Sequence, residues 1–346
     1  MIVKVRDYII RRIILSIPVI LGALFITFFL SHVIGNPAAA YVTERTPPEA
    51  IPAIIHQHGL DRPIWEQFFF YLRDVITGDW GYSMAVHMDV TAAIATFFPA
   101  TFELAMAAMV FSVGLGIPLG IVSATHKDQW IDQLTRIIAL SGVSLPVFWL
   151  ALMLKYIFYY KFWQWGLPYL PNVGRVDHLV EILYPIKRIT GLYLFDSLIQ
   201  GNFVFFWSAL IHLIMPAFCL GYISMALITR MMRSSMLEVL KEDYILLARA
   251  KGLSERVVIY RHALRNALIP TVTVIGLAFG GLMTGAVLTE TIFAWHGLGQ
   301  WSTAAILTTD FAAINGFTLL VAFIFVIMNL LVDLLYGILD PRIRYS

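Results

Sequence analysis

The chain has 346 residues, 59% hydrophobic and 13% charged, with a formal net charge of +2. Its mean hydropathy of +0.78 is too high for one soluble core, so an apolar solvent must receive the excess. The near-neutral balance excludes a nucleic-acid footprint, and the single cysteine, Cys219, excludes an intrachain disulfide framework.

Six runs free of Asp, Glu, Lys and Arg are long enough to cross a hydrocarbon slab of about 30 Å at about 1.5 Å per residue. They cover 13–34, 104–125, 137–154, 203–229, 267–289 and 311–332. No segment alternates as a membrane barrel would, so the predicted fold is an all-α integral membrane protein with six transmembrane helices. The first run follows Arg11 and Arg12 but exceeds a secretory h-region of about 7–15 residues, and is read as a retained span. Three regions result: 1–34 with the first helix, an extracytoplasmic loop domain at 35–99, and a five-helix core at 100–346.

Basic residues set the orientation. With the N-terminus inside, the cytoplasmic pieces 1–12, 126–136, 230–266 and 337–346 carry sixteen Lys and Arg, against seven in the outer pieces 35–99, 161–202 and 294–310. Both termini are therefore expected in the cytoplasm and the protein in the cell membrane, as a multi-pass chain in lipid.

In the first outer loop, Ile64, Trp65, Phe68, Phe69, Leu72, Val75 and Ile76 recur at near-helical spacing. They predict an amphipathic interfacial helix. Trp65, Phe68, Phe69 and Trp80 are candidate docking residues for an outside partner; packing beneath the long loop is the structural alternative. The second outer loop holds GLYLFDSLIQGNF. An aspartate at the bilayer centre would cost about 2.5–3.5 kcal/mol, so Asp196 makes this stretch interfacial or re-entrant, not a seventh span.

Within the spans, Gly276, Gly280, Gly281 and Gly285 permit close helix packing; the alternative is a smooth pathway wall. Glu103 and Asp333 stand near span ends where water is in reach, and His212 is read as a packing histidine. There is no phosphate-binding loop, HExxH, CxxC pair or GxSxG elbow. No catalytic residue, metal ligand or cofactor site is predicted in this chain, and the protein is not read as an enzyme.

The interval from Arg230 to Arg265 holds eight of the 24 Lys and Arg residues. A helix over 236–252 would align Leu237, Leu240, Tyr244, Leu247 and Ala248 in one apolar stripe. Arg249 and Lys251 suit its last turn, and Gly252 suits the left-handed position that ends it. Ser254 fits an N-cap for a second helix, which enters the fifth span at Pro270. Glu242, Asp243 and Glu255 disfavour an anionic lipid surface for the stripe; of the chain's own spans and a groove in another protein, the groove is the favoured reading.

The stretch DYILLARAKGLSERVVIYRHALRNALIP resembles the cytoplasmic signature loop of ATP-binding-cassette importer permeases, in their peptide branch. The resemblance spans the chain, through LDRPIWEQ…GDWGYS, FPATFELA…GIPLGI, SLPVFWLALML, TGLYLFDSL, TETIFAWHGLGQW and LDPRIRY. It implies a coupling helix between the fourth and fifth spans, inserted into a groove of an ATPase subunit. Tyr244, Ala248, Arg249, Ala250, Lys251, Gly252 and Leu253 would make or shape that contact. It further implies a second homologous permease, two ATP-binding subunits carrying ATP and Mg, and an extracytoplasmic solute-binding protein. The cargo would be a di- or oligopeptide; oligosaccharides and nickel or other metal chelates are the alternatives. The wider consensus has an acidic residue and two alanines before the glycine; Leu246, Leu247 and Ala248 match it only at the second alanine. His296 stands where the family carries proline. An ion-coupled carrier would need ionisable residues or broken helices at the midplane of both halves, and a membrane enzyme would need a ligand or nucleophile cluster. Neither is found in the sequence.

Overall fold

A computed structural model describes the backbone of residues 5–34, 38, 41, 42, 46–284 and 286–339, and the side chains of 14–29, 38, 41, 42, 46–284 and 286–335. Helix α1 (Val5–Ile34) contains the first apolar run. The outer loop folds as α2 (Ile51–Gln57), the amphipathic α3 (Ile64–Thr77) and a hairpin, β1 (Tyr82–Ser83) and β2 (Met88–Asp89), paired antiparallel with Tyr82 opposite Asp89. Then come α4 (Val90–Thr125), α5 (Trp130–Ser144) and α6 (Val147–Gln164). The second outer loop carries α7 (His178–Leu183) and the seven-residue α8 (Tyr193–Ile199), too short to span. The chain continues with α9 (Phe203–Val239), α10 (Asp243–Ala250), α11 (Glu255–Thr284), α12 (Val287–Ile292), α13 (Leu298–Leu307) and α14 (Phe311–Leu339).

Among the described residues α4, α9, α11 and α14 are each long and apolar enough to cross a membrane; the bent pair α5–α6 makes a fifth, and α1 adds the shorter apolar stretch Ile14–Phe29. The third run does not form the straight span expected over 137–154: α5 and α6 meet at 107°. Pro146 is the cause. The residue before a proline is driven out of the helical region, and Leu145 sits at φ −82°, ψ 128°.

The bundle is built on α4 against α9. Ala108, Ser112, Gly116 and Gly120 recur every fourth residue, so they share one face of α4. Gly116 lies against Ile228 and Gly120 against Met232 and the Thr229 carbonyl. Ser112 donates its hydroxyl to the carbonyls of Ala108 at 2.6 Å and Gly221 at 2.7 Å. Without a water-driven hydrophobic force between helices in lipid, such close backbone approach provides the packing energy.

Gly276 and Gly280 do the same for α11 on α14. A methyl on Gly276 would strike Val332, and one on Gly280 would press on Phe325. Gly281 is exposed with open space around it, and Gly285 lies outside the described residues. Gly276→Ala is therefore expected to lower stability by about 1–3 kcal/mol through overpacking. Gly281→Ala should be neutral or raise it by up to about 1 kcal/mol through helix propensity. Thermal unfolding of the two variants in detergent checks the contrast.

Candidate functional site

Two ends of the molecule concentrate polar structure. At one end α9 stops at Val239 and the chain turns over 240–242 before α10 begins. The single helix expected over 236–252 is thus broken. Glu242 takes an extended N-cap conformation, and Asp243 follows in the positive first turn of α10. The far end closes as predicted: Gly252 lies at φ +76°, and the Leu253 amide reaches back to the Ala248 carbonyl at 3.4 Å, a Schellman-type stop. Ser254 occupies the next N-cap position without a side-chain capping bond, and its carbonyl accepts from Val257 and Val258.

The predicted apolar stripe divides. Ile245 and Ala248 face inward, packed with Met232, Met236, Ile121, Ala124, Val258, Ala263 and Ala267. Ile245 is absent from the stripe read off the sequence, because that reading continued the phase of α9 across a break. Leu246 and Leu247 instead point out, 53% and 56% exposed. Tyr244 is held by Asn266, which donates to its hydroxyl at 2.7 Å. Arg249 grips Glu255 through two bonds at 2.8 and 3.3 Å, closing the turn from outside. Ala250, Lys251, Gly252 and Leu253 remain exposed. The product is a short helix with a locked inner face and an apolar outer face.

At the other end, the second and third outer loops are fastened to the first half of α4, and the hairpin of the first is tied to the start of α14. Pro99 has no amide to offer Ala95, and Arg188 supplies a donor in its place, bonding the Ala95 carbonyl at 2.9 Å and also that of Thr96 at 3.0 Å. Glu103, expected to reach water, is buried. It accepts from Arg175 at 2.6 Å and from the Leu194 amide at 2.8 Å. Arg175 also stacks 3.7 Å over the Tyr193 ring and donates to the Gly191 carbonyl at 3.0 Å. Thr101 donates to the buried Glu290 at 2.6 Å and accepts the Leu298 amide at 2.8 Å; Trp295 donates to the Ala100 carbonyl at 2.8 Å. Ser83 donates to Asp310 at 2.7 Å, joining the hairpin to the start of α14.

Asp196 is fully buried and closes the second outer loop on itself. It accepts the amides of Ile189 at 3.1 Å, Thr190 at 2.9 Å and Gly191 at 2.9 Å, and the Thr190 hydroxyl at 2.7 Å. Burial opposes its charge, but the bonds from Thr190, Gly191 and Ile189 prevail and hold its carboxyl below the ordinary range.

The remaining predicted positions fall as follows. Phe68 packs edge-on against Phe25 and Phe28, at 5.6 and 5.2 Å between ring centres, and Trp80 donates to the Val75 carbonyl at 3.0 Å and packs beside Val90 and Leu298. Only Trp65 and Phe69 of the four aromatics are exposed. His212 donates from Nδ1 to the Ser208 carbonyl at 2.7 Å. With the exposed His296 it borders an outer cleft of about 680 Å³ that also includes Arg175 and Tyr193.

Residues 116–345 match the family described as binding-protein-dependent transport system inner membrane component, and residues 5–105 match the corresponding N-terminal family. The chain is 47% identical over 339 residues to a dipeptide transport system permease protein of Alkalihalophilus pseudofirmus, covering 98% of this chain and 99% of the relative. It is 45% identical over 326 residues to a probable D,D-dipeptide transport system permease protein of Escherichia coli K12, covering 94% of each. To the dipeptide transport system permease protein of the same organism it is 44% identical over 342 residues, 98% of this chain and 99% of the relative.

Two outcomes are expected of the outer network. Arg175→Met leaves Glu103 charged and unpaired and should cost about 3–5 kcal/mol of stability, much of it recovered by Glu103→Gln on top; melting in detergent measures both. Because the Asp196 carboxyl is lowered on folding, its stabilisation is present above the unfolded value of about 4 and is lost as pH falls through the folded value. Hydrogen exchange of 188–196, corrected for intrinsic rate, should accelerate on that acid side in the parent and be fast at every pH in Asp196→Asn.

Proposed function

The chain belongs to the family of binding-protein-dependent transport system inner membrane components, and from that premise we propose that it is one permease half of an ATP-driven importer of dipeptides and other short peptides. The three relatives named above, all dipeptide permeases, support the cargo and replace the oligosaccharide and metal-chelate alternatives. Family membership also sets aside the ion-coupled carrier and the membrane enzyme. The protein is a multi-pass membrane protein; six spans with both termini in the cytoplasm is the arrangement we propose, supported by the basic-residue count and by the position of α10 between α9 and α11.

The observation that carries the mechanism is the outer face of α10. Its inner face is spent on Met232, Met236 and Val258, so Leu246 and Leu247, with Tyr244 beside them, are apolar groups left for a partner. The chain has no phosphate-binding loop of its own. Two ATPase subunits, holding ATP and Mg, would take α10 of this chain and its counterpart in a second homologous permease. Closure of the ATPases would then rock the spans from inward- to outward-facing. Shifting such an equilibrium from 1:99 to 99:1 takes about 5.5 kcal/mol, and only a stiff connection transmits it. Ile245 in its pocket, the Tyr244–Asn266 bond and the Arg249–Glu255 clamp supply that stiffness. On the opposite side a solute-binding protein would deliver the peptide to loops anchored on α4, with Trp65 and Phe69 as the exposed aromatic contacts.

In proteoliposomes containing the full set of partners, Leu247→Asp should abolish peptide uptake and peptide-stimulated ATP hydrolysis while the permease still melts at the parent temperature. Gly252→Pro should uncouple hydrolysis from uptake, since proline is fixed near φ −65° and cannot adopt the +76° found there. Parent-level uptake in both variants would overturn the coupling role of this turn.

A further inference from the structure

A cleft at the α10 end of the molecule is not used by the coupling turn. It lies between α5 and α9, has a volume of about 740 Å³, and is lined by Arg136, Arg230 and Arg233 among others. Asp132 pairs with Arg233, and the Asp128 carboxylate acts on the same guanidinium from farther away. Asp132 is fully buried and its oxygens are already occupied: Arg233 donates through Nε and Nη2 at 2.8 Å each, Ser123 donates at 2.5 Å, and the Asp128 amide at 3.0 Å. Arg136 approaches Asp132 only at 3.9 Å with a half-exposed side chain. Arg230 is exposed and has no acidic partner among the described residues. The lining of the cleft thus presents arginines and no carboxylate.

Its apolar wall has a distinct shape. Ile137, Leu140 and Val143 follow Arg136 at helical spacing along α5, and they are 64%, 68% and 50% exposed. The stripe runs from the arginines toward the break at Leu145. A cationic mouth continuous with an exposed aliphatic strip fits a molecule with an anionic head and a hydrocarbon tail. Basic pockets between spanning helices hold lipid head groups on these grounds.

We propose that this cleft binds an anionic phospholipid, its phosphate on Arg136 and Arg230 and an acyl chain along Ile137, Leu140 and Val143. Arg233 is a positioning residue: through Asp132 it ties α9 to the turn after α4 and keeps the mouth of the cleft open. Placing the lipid in the cytoplasmic leaflet rests on the topology proposed above, whereas binding itself does not.

Native mass spectrometry of the delipidated assembly, titrated with phosphatidylglycerol or with phosphatidylcholine of the same chains, tests this. The parent should retain one more phosphatidylglycerol than Arg136→Gln/Arg230→Gln, with affinity falling roughly 25-fold at about fivefold per guanidinium. Arg136→Lys/Arg230→Lys should keep binding within a few-fold, and soluble glycerol phosphate should not compete at lipid concentrations. Equal retention of phosphatidylcholine by the parent, or undiminished phosphatidylglycerol on the Gln variant, would overturn the site. So would displacement of the lipid by a dipeptide but not by its C-terminal amide, which would assign the arginines to the transport route instead. Binding and transport are read separately, so failure here leaves the importer reading intact.

Discussion

A proline inside a helix leaves the carbonyl four residues before it without its amide partner. Pro99 creates that situation in α4, the helix on which the bundle is assembled. The chain resolves it with Arg188, brought from ninety residues away to bond Ala95 and Thr96. Gly191 then rests against the Pro99 ring, where a side chain would collide. Within one further turn, Ala100, Thr101 and Glu103 receive Trp295, Glu290, Arg175 and the Leu194 amide. The second and third outer loops are therefore set by the need to pair polar groups along one short segment.

The same helix serves the opposite end. Its ridge of small residues brings α9 within backbone distance, and α9 carries Met232 and Met236 down to Ile245 and Ala248 of α10. A displacement of α10 thus reaches α9 and α4 through close-packed groups, and α4 carries the second and third outer loops at its other end. Close-packed interiors are stiff and tend to have discrete arrangements. This is the mechanical property a permease needs if hydrolysis on one side of the membrane is to govern access on the other.

Much of the turn between α10 and α11 was legible in the sequence. Gly252 announced its left-handed turn, and charge placement announced a helix end at Arg249 and Lys251. The direction of each α10 side chain was not legible. Periodicity reports a phase only within one unbroken helix, and the turn at 240–242 reset it, so Ile245 went inside and Leu247 outside. Glycines mislead in a related way. Gly276 and Gly281 are chemically identical, yet one has Val332 against it and the other has open space; only the neighbouring helix distinguishes them.

The sequence by itself determined the class of protein, its apolar helices, the short segment around Asp196 that does not span, and the location of the turn at Gly252. These follow from local composition and from residues that restrict their own backbone. The tertiary structure alone decided that Glu103 pairs with Arg175, that Arg188 repairs the break at Pro99, that Asp132 binds Arg233, and that α5 and α6 meet at 107°. Each pairing joins groups scores of residues apart, and the two ion pairs satisfy carboxylates whose need for a partner arises on removal from water. The α5–α6 angle depends on what the two helices pack against once Pro146 has interrupted them.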